Sequence, residues 1–185
     1  MGHDWICYLP WHWNSIKVPI FLLLPWLPLG WTLFLLDTLV MSEPEQDYLL
    51  PDEWNGRVVY LFSESTGNVL DLHGGQSHNG NKVQGWQYLG SKAQQWRLQK
   101  VDSGPFGAWV LHNVASGTVL DLDGGSPDDC TKIMGWKYYS GNGNQEWLII
   151  TKKYNDGSQC ILQNRNSFSV ADMSEGKRDN GYVFS

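Results

Sequence analysis

The nine residues from Gly67 read GNVLDLHGG, and the nine from Gly117 read GTVLDLDGG. This doubled phrase is the centre of a longer self-match at an offset of fifty. Leu61 falls on Leu111, Val69 to Leu72 on Val119 to Leu122, Gly74-Gly75 on Gly124-Gly125, Lys82 on Lys132, Gly85-Trp86 on Gly135-Trp136, and Tyr88 on Tyr138. One inserted residue later, Gln94-Gln95-Trp96 falls on Gln145-Glu146-Trp147. A period of this length with strand-like contents means pseudo-symmetric β units, each unable to bury its apolar face alone. A third copy begins with Cys160 to Asn164 in the place of Trp109 to Asn113, and Val170 to Met173 in that of Val119 to Leu122. The aromatic and the Gln-x-Trp that should follow are not reached before Ser185, so the third unit is expected to be truncated.

Each copy reads as four short strands. In the first they run from about Val58 to Phe62, Val69 to Leu72, Lys82 to Trp86 and Gln95 to Leu98, with Gly-rich turns between them. Side chains alternate faces along a strand. Leu70 and Leu72 should therefore be core, as should Leu120 and Leu122, leaving Asp71 and Asp121 to point outward. By the same parity Val83 and Ile133 go inward, while Gln84 and Trp86, or Met134 and Trp136, share the other face. The composition agrees with strands over helices: 20 Gly, 11 Trp and 8 Tyr stand against 4 Met.

A net charge of −6 excludes nucleic acid as a partner, because displacing counterions from phosphates needs a clustered basic surface. The three cysteines, Cys7, Cys130 and Cys160, form no disulfide framework and no metal-ligand spacing, and buried free thiols are expected for the last two. The five histidines include no His-Glu-x-x-His, no Gly-x-Ser-x-Gly is present, and no phosphate-cradling glycine loop opens a helix. Asp121-Leu122-Asp123 could pass for a metal-binding pair, but the first copy has His73 in place of Asp123 and no bidentate Glu follows. No catalytic residue, metal site or cofactor is expected.

Residues 1–40 are unlike the rest. Five of the 11 Trp lie here, and Val18 to Leu36 runs nineteen residues without a charge, long enough to span a bilayer. Against a helix stand Pro19, Pro25 and Pro28, and Lys17 is the only Lys or Arg of the segment. No small-x-small cleavage site follows the apolar run before Met41. A membrane anchor, an uncleaved signal and a spurious upstream extension all stay open. The chain would be cytoplasmic if translation starts at Met41, and membrane-anchored or secreted if residues 1–40 are genuine. The expected organisation is a hydrophobic segment over 1–40, a lead-in over 41–56, and a repeat domain over 57–185 with units at about 57–104, 105–155 and an incomplete 156–185.

Repeats of about fifty residues, each with a Leu-Asp-Leu or Leu-Asp-Met type strand, a Gly-aromatic strand and a Gln-x-Trp close, resemble the ricin B-type lectin family. The resemblance covers about residues 55–185, and the absence of a disulfide framework is similar to cytosolic fungal-type members. It implies an all-β fold, a β-trefoil with two complete repeats and a truncated third, and binding of galactose-type or related glycans at one shallow site per complete repeat. In such sites the Asp accepts hydrogen bonds from two sugar hydroxyls, the aromatic faces the less polar side of the ring, and a Gln or Asn near the Gln-x-Trp fixes orientation. The chemistry is consistent: an ionised carboxylate offers four lone-pair sites for charge-assisted bonds, and a flat aromatic adds apolar burial.

Carried over residue by residue, the first repeat offers Asp71, Gln84, Trp86 and Gln94, with Ala93 where the family often has Asn. The second offers Asp121, Trp136, Asn144 and Gln145, with Met134 where the first has Gln84. The third keeps only Asp172, and no working site is expected there. Plainer roles compete: Trp96 and Trp147 as core residues, Gln94 and Gln145 as purely structural groups on the same strand face, Asp71 and Asp121 as turn caps, Trp86 and Trp136 as a barrel rim, and His73 and His78 as exposed loop residues. A different class of function also competes, because the same fold serves protein-binding modules such as protease inhibitors. A truncated product without binding is a further reading. Two protomers could share strands as a homodimer, and residues 41–185 alone are expected to be only marginally stable, since missing strands leave open edges.

Overall fold

The computed structural model describes residues 5–8, 47–102, 107–154, 157–173 and 178–181, and among them every regular element is a strand or a single 3-10 turn. The two copies of the repeat fold alike. The first gives β-strands at Val58–Ser63, Val69–Leu72, Asn81–Trp86 and Trp96–Val101, the second at Ala108–Asn113, Val119–Leu122, Ile133–Trp136 and Trp147–Tyr154. With Trp5–Tyr8 as β1 and Asp47–Leu49 as β2, these are β3 to β6 and β7 to β10, and Gly157–Asn164 is β11. After β11 the third copy contributes isolated bridge residues, among them Val170, which pairs with Gln163.

Six strands close a ring. β3 bonds to β6, β6 to β7, β7 to β10, β10 to β11, β11 to β1, and β1 back to β3, all antiparallel. A closed barrel leaves no edge within its wall. The hairpins β4–β5 and β8–β9 leave this wall and meet each other where Asn81 pairs with Gly135 and Lys82 with Met134. β2 lies against the far half of β10.

The leucines of the doubled phrase are inside, as their parity requires: Leu70, Leu72 and Leu120 have no exposure and Leu122 almost none. Each contributes roughly 1.5–3 kcal/mol by burial. Trp96 and Trp147 are also fully buried, and the indole nitrogens donate to Leu70 O at 2.9 Å and Leu120 O at 3.1 Å. The Gln-x-Trp tryptophan thus joins the strand that begins each hairpin to the barrel wall. Two glycines let the hairpins approach: a Cβ on Gly135 would lie 2.7 Å from Leu72 Cδ1, and one on Gly85 would lie 2.6 Å from Met173 Cε. Leu72 and Met173 hold the same position in the first and third copies, so each Gly-Trp strand is seated on the phrase of another repeat.

Two expectations need amendment. Trp5–Tyr8 belongs to the barrel wall, although residues 1–40 read as foreign to the repeat domain; Val18 to Leu36 lies outside the described residues. Among the described residues no helix is long and apolar enough to cross a membrane. Cys160 is buried as expected, but Cys130 is exposed. It stands at the turn position that Gly80 holds one repeat earlier, with φ 63° there and φ 82° at Gly80.

Candidate functional site

The β4–β5 register places Asp71 directly opposite Gln84, and the β8–β9 register places Asp121 opposite Met134. The parity of the carboxylates is as the alternation demands, but their exposure is not. Asp71 and Asp121 are each only 6% exposed, because the face opposite the leucines is covered by the 3-10 turn that carries the Gln of Gln-x-Trp. The outward face is the floor of a recess. That cover comes from more than twenty residues further along the chain, which strand alternation cannot register.

Gln94 and Gln145, both fully buried, act as brackets. In the second repeat Gln145 Nε2 donates to Asp121 Oδ2 and to Lys137 O, each at 2.8 Å, while its Oε1 accepts from Tyr139 N–H at 2.8 Å. In the first, Gln94 Nε2 donates to Gln87 O and its Oε1 accepts from Leu89 N–H, both at 2.8 Å. In the second repeat one amide side chain therefore fixes both the acid and the loop that follows the tryptophan, while in the first Gln94 fixes the loop. Gln84, also buried, donates from Nε2 to Asp71 Oδ1 at 3.1 Å. Met134 cannot do this, and Asp121 is held by Gln145 instead.

The electrostatics follow. Burial pushes the Asp71 carboxyl up from its ordinary range, opposed by the Gln84 and Gln94 amides and by nearby His73. Burial also pushes Asp121 up; Gln145 opposes the shift, and the Asp123 carboxylate adds to it. Residue 73 or 123, the one letter that differs within LDLHGG and LDLDGG, thus acts in opposite directions on the two acids. Both are exposed, as is His78.

Trp86 and Trp136, half-buried, close the other side of each recess. Each is flanked by a turn from a different repeat. A Cβ on Gly80 would lie 3.7 Å from Trp136 Cζ3, and one on Gly181 would lie 3.8 Å from Trp86 Cζ3. The two turns are fastened alike: Lys137 N–H donates to Asn79 Oδ1 at 2.8 Å, and Gln87 N–H to Asn180 Oδ1 at 2.7 Å. The third copy, in which no working site of its own is expected, thus supplies a flank of the first recess. The sequence held a signal for this, since Asn79-Gly80 and Asn180-Gly181 are equivalent positions of the repeat.

Asn144 is brought to the rim. Its side-chain oxygen stands over Gly125 so closely that any Cβ there would collide, and the same position in the first repeat has Ala93 over Gly75. Gly74, Gly75, Gly124 and Gly125 all have φ near +60°, and the tight turn lets the Gln-x-Trp segment close over the acid. Asn113 and Asn164, which the site reading missed, hold that segment from beneath: Nδ2 of each donates to it, to Ala93 O at 2.8 Å and Asn144 O at 3.0 Å.

The two recesses share one chemistry: a buried acceptor oxygen pair at the floor, an amide that orients it, and an indole at the side. That set can accept hydrogen bonds from a pair of adjacent hydroxyls while covering an apolar surface next to them. A cleft of about 450 Å³ opens elsewhere, between Cys130, Ile133 and Ala171, and neither acid nor either site tryptophan lines it. Among the described residues no group of three His, Cys, Asp or Glu side chains could hold a metal ion.

The family model described as ricin-type β-trefoil lectin domain-like matches residues 44–136 and again 93–184. Among solved structures, the designed threefold-symmetric protein ThreeFoil is similar with a TM-score of 0.60 and 29% identity, over 69% of this chain and 86% of that one. An exo-β-1,3-galactanase from Clostridium thermocellum is similar at 0.59 and 27%; the likeness covers 73% of this chain but only 27% of the galactanase. The Rhizoctonia solani agglutinin shares the fold at 0.57 and 24% identity, over 73% of this chain and 86% of its own. No curated protein matches the chain.

Proposed function

From the premise that the chain belongs to the ricin-type β-trefoil lectin family, we propose that it binds galactose-type or related glycans at two recesses, one built on Asp71 and one on Asp121. One observation supports this most: in both repeats the acid is buried yet oriented by an amide, with a half-buried tryptophan beside it. Holding a carboxylate buried costs desolvation, a cost that a role in binding accounts for. Gln84, Gln94, Gln145 and Asn144 orient the acceptor and its rim, and Trp86 and Trp136 face the sugar ring. Binding, not catalysis, is the role that this constellation suits.

Each recess is shallow, so a single site should bind at about millimolar to micromolar Kd, and a surface carrying many glycans should bind more tightly through both sites. The test is a glycan array probed with the whole chain beside the Trp86→Ala/Trp136→Ala double variant. Binding to terminal galactose-type glycans that the double variant loses is the expected result. A folded protein silent on every glycan would instead favour a protein-binding use of the same fold.

A further inference from the structure

The ring of six strands closes only through β1, and the register of that closure is informative. Trp96, at the head of β6, pairs with Val59 of its own repeat and Asn113 of the next. Trp147, at the head of β10, pairs with Trp109 and Asn164. Trp5, at the head of β1, pairs with Cys160 and Ser63. These partners are equivalent positions: Val59, Trp109 and Cys160 lie four residues, in each copy, before Ser63, Asn113 and Asn164, which end the strand. Two residues on, Leu98 pairs with Leu111, Ile149 with Leu162, and Cys7 with Leu61. All three closing strands begin with Trp, reading WRLQ, WLII and WICY.

We infer that Trp5–Tyr8 is the fourth strand of the third repeat, supplied from the amino-terminal end of the same chain, and that the slot between β3 and β11 is a strand-acceptor site for it. A slipped strand or a chance edge pairing would match one neighbour at most; β1 matches both neighbours at the threefold-equivalent register. An unfilled slot would leave the facing backbone groups of β3 and β11 as open edges. The glutamine bracket is not carried with the strand, since His3 stands where the other copies have Gln94 and Gln145. The transplanted strand restores the wall without restoring a third recess.

Cys7 provides the test. Directly opposed residues of an antiparallel pair have Cα atoms about 4.5–5.5 Å apart, within the range a disulfide spans. In the full chain, Leu61→Cys should form, on mild oxidation, an intrachain disulfide with native Cys7 that peptide mapping detects. Because that change is in the core, hydrogen exchange on the full-length Ile6→Pro variant gives a second readout. Proline removes a ladder donor and should speed exchange at the β3 and β11 amides facing β1 at least tenfold, with the β6–β7 amides unchanged. A cross-link found only between two chains would overturn the assignment in favour of a second copy as the strand donor. Unchanged exchange at β3 and β11 in Ile6→Pro would overturn it outright.

Discussion

Asp71 and Asp121 carry opposite consequences for binding and for stability. A carboxyl whose folded-state pKa is raised holds its proton longer in the native than in the unfolded chain. The stabilisation is therefore complete below the unfolded-state pKa and is lost as pH rises through the folded one. In its ionised form each acid is buried at a net cost. Asp71→Asn and Asp121→Asn keep shape and an acceptor oxygen for Gln84 or Gln145, so the Tm at pH 7 should be unchanged or higher in each, while glycan binding at that site is lost. A fall of several degrees in Tm would show that the ionised acid supports the fold. Binding needs the ionised form, so it should fade on acidification at higher pH than an exposed Asp would dictate. The Asp121 recess should fade before the Asp71 recess, since Asp123 reinforces the shift that His73 opposes. A ligand titration by NMR against pH would separate the two, and Asp123→His should draw them together. None of this was legible from strand parity. Alternation gave each acid its face, but its burial comes from a glutamine turn folded over it from far along the sequence.

At the scale of elements, what was local was readable. β3 to β6 lie within a few residues of where alternation and turn glycines put them, because period-two patterning and positive-φ turns are properties of short stretches. Trp96 and Trp147 were also readable as core. Trp96→Ala or Trp147→Ala should cost about 3–5 kcal/mol, as cavity-forming changes of fully buried aromatics do, measured by urea denaturation. The glycine of the Gly-Trp strand makes a sharper test of the seating of hairpins. Gly135→Ala sets a Cβ 2.7 Å from the branched end of Leu72 and should cost about 1–3 kcal/mol. Gly85→Ala meets the flexible end of Met173 and should cost less, and a larger loss there would contradict the packing described. What escaped the sequence were pairings between distant elements: Asn180-Gly181 beside Trp86, and β1 in the wall. A four-residue strand with no periodic context carries no signal of its own; only its register against β3 and β11 reveals what it is.

For the whole molecule, the pseudo-threefold plan sets the two recesses on different repeats, facing different directions around the barrel. On the proposed reading a small free sugar engages one recess at a time, and the gain from two sites appears only on a multivalent surface. Inactivating one recess should halve the stoichiometry for a soluble sugar, measured by calorimetry, while lowering retention on a glycan-coated surface by roughly 10²–10⁴. Equal losses in both assays would mean that the recesses do not cooperate through geometry. Stability has the same global character. Without β1, residues 41–185 have an opened wall, and their thermal transition should be lower and less cooperative than that of the full chain. With β1 seated between β3 and β11, and β2 paired to β10, the chain is held to one sheet both at Trp5–Tyr8 and at Asp47–Leu49. Sidedness then has a simple rule: any passage of the intervening sequence through a bilayer must come in an even number of crossings, for a single crossing would put the keystone strand and the barrel on opposite sides.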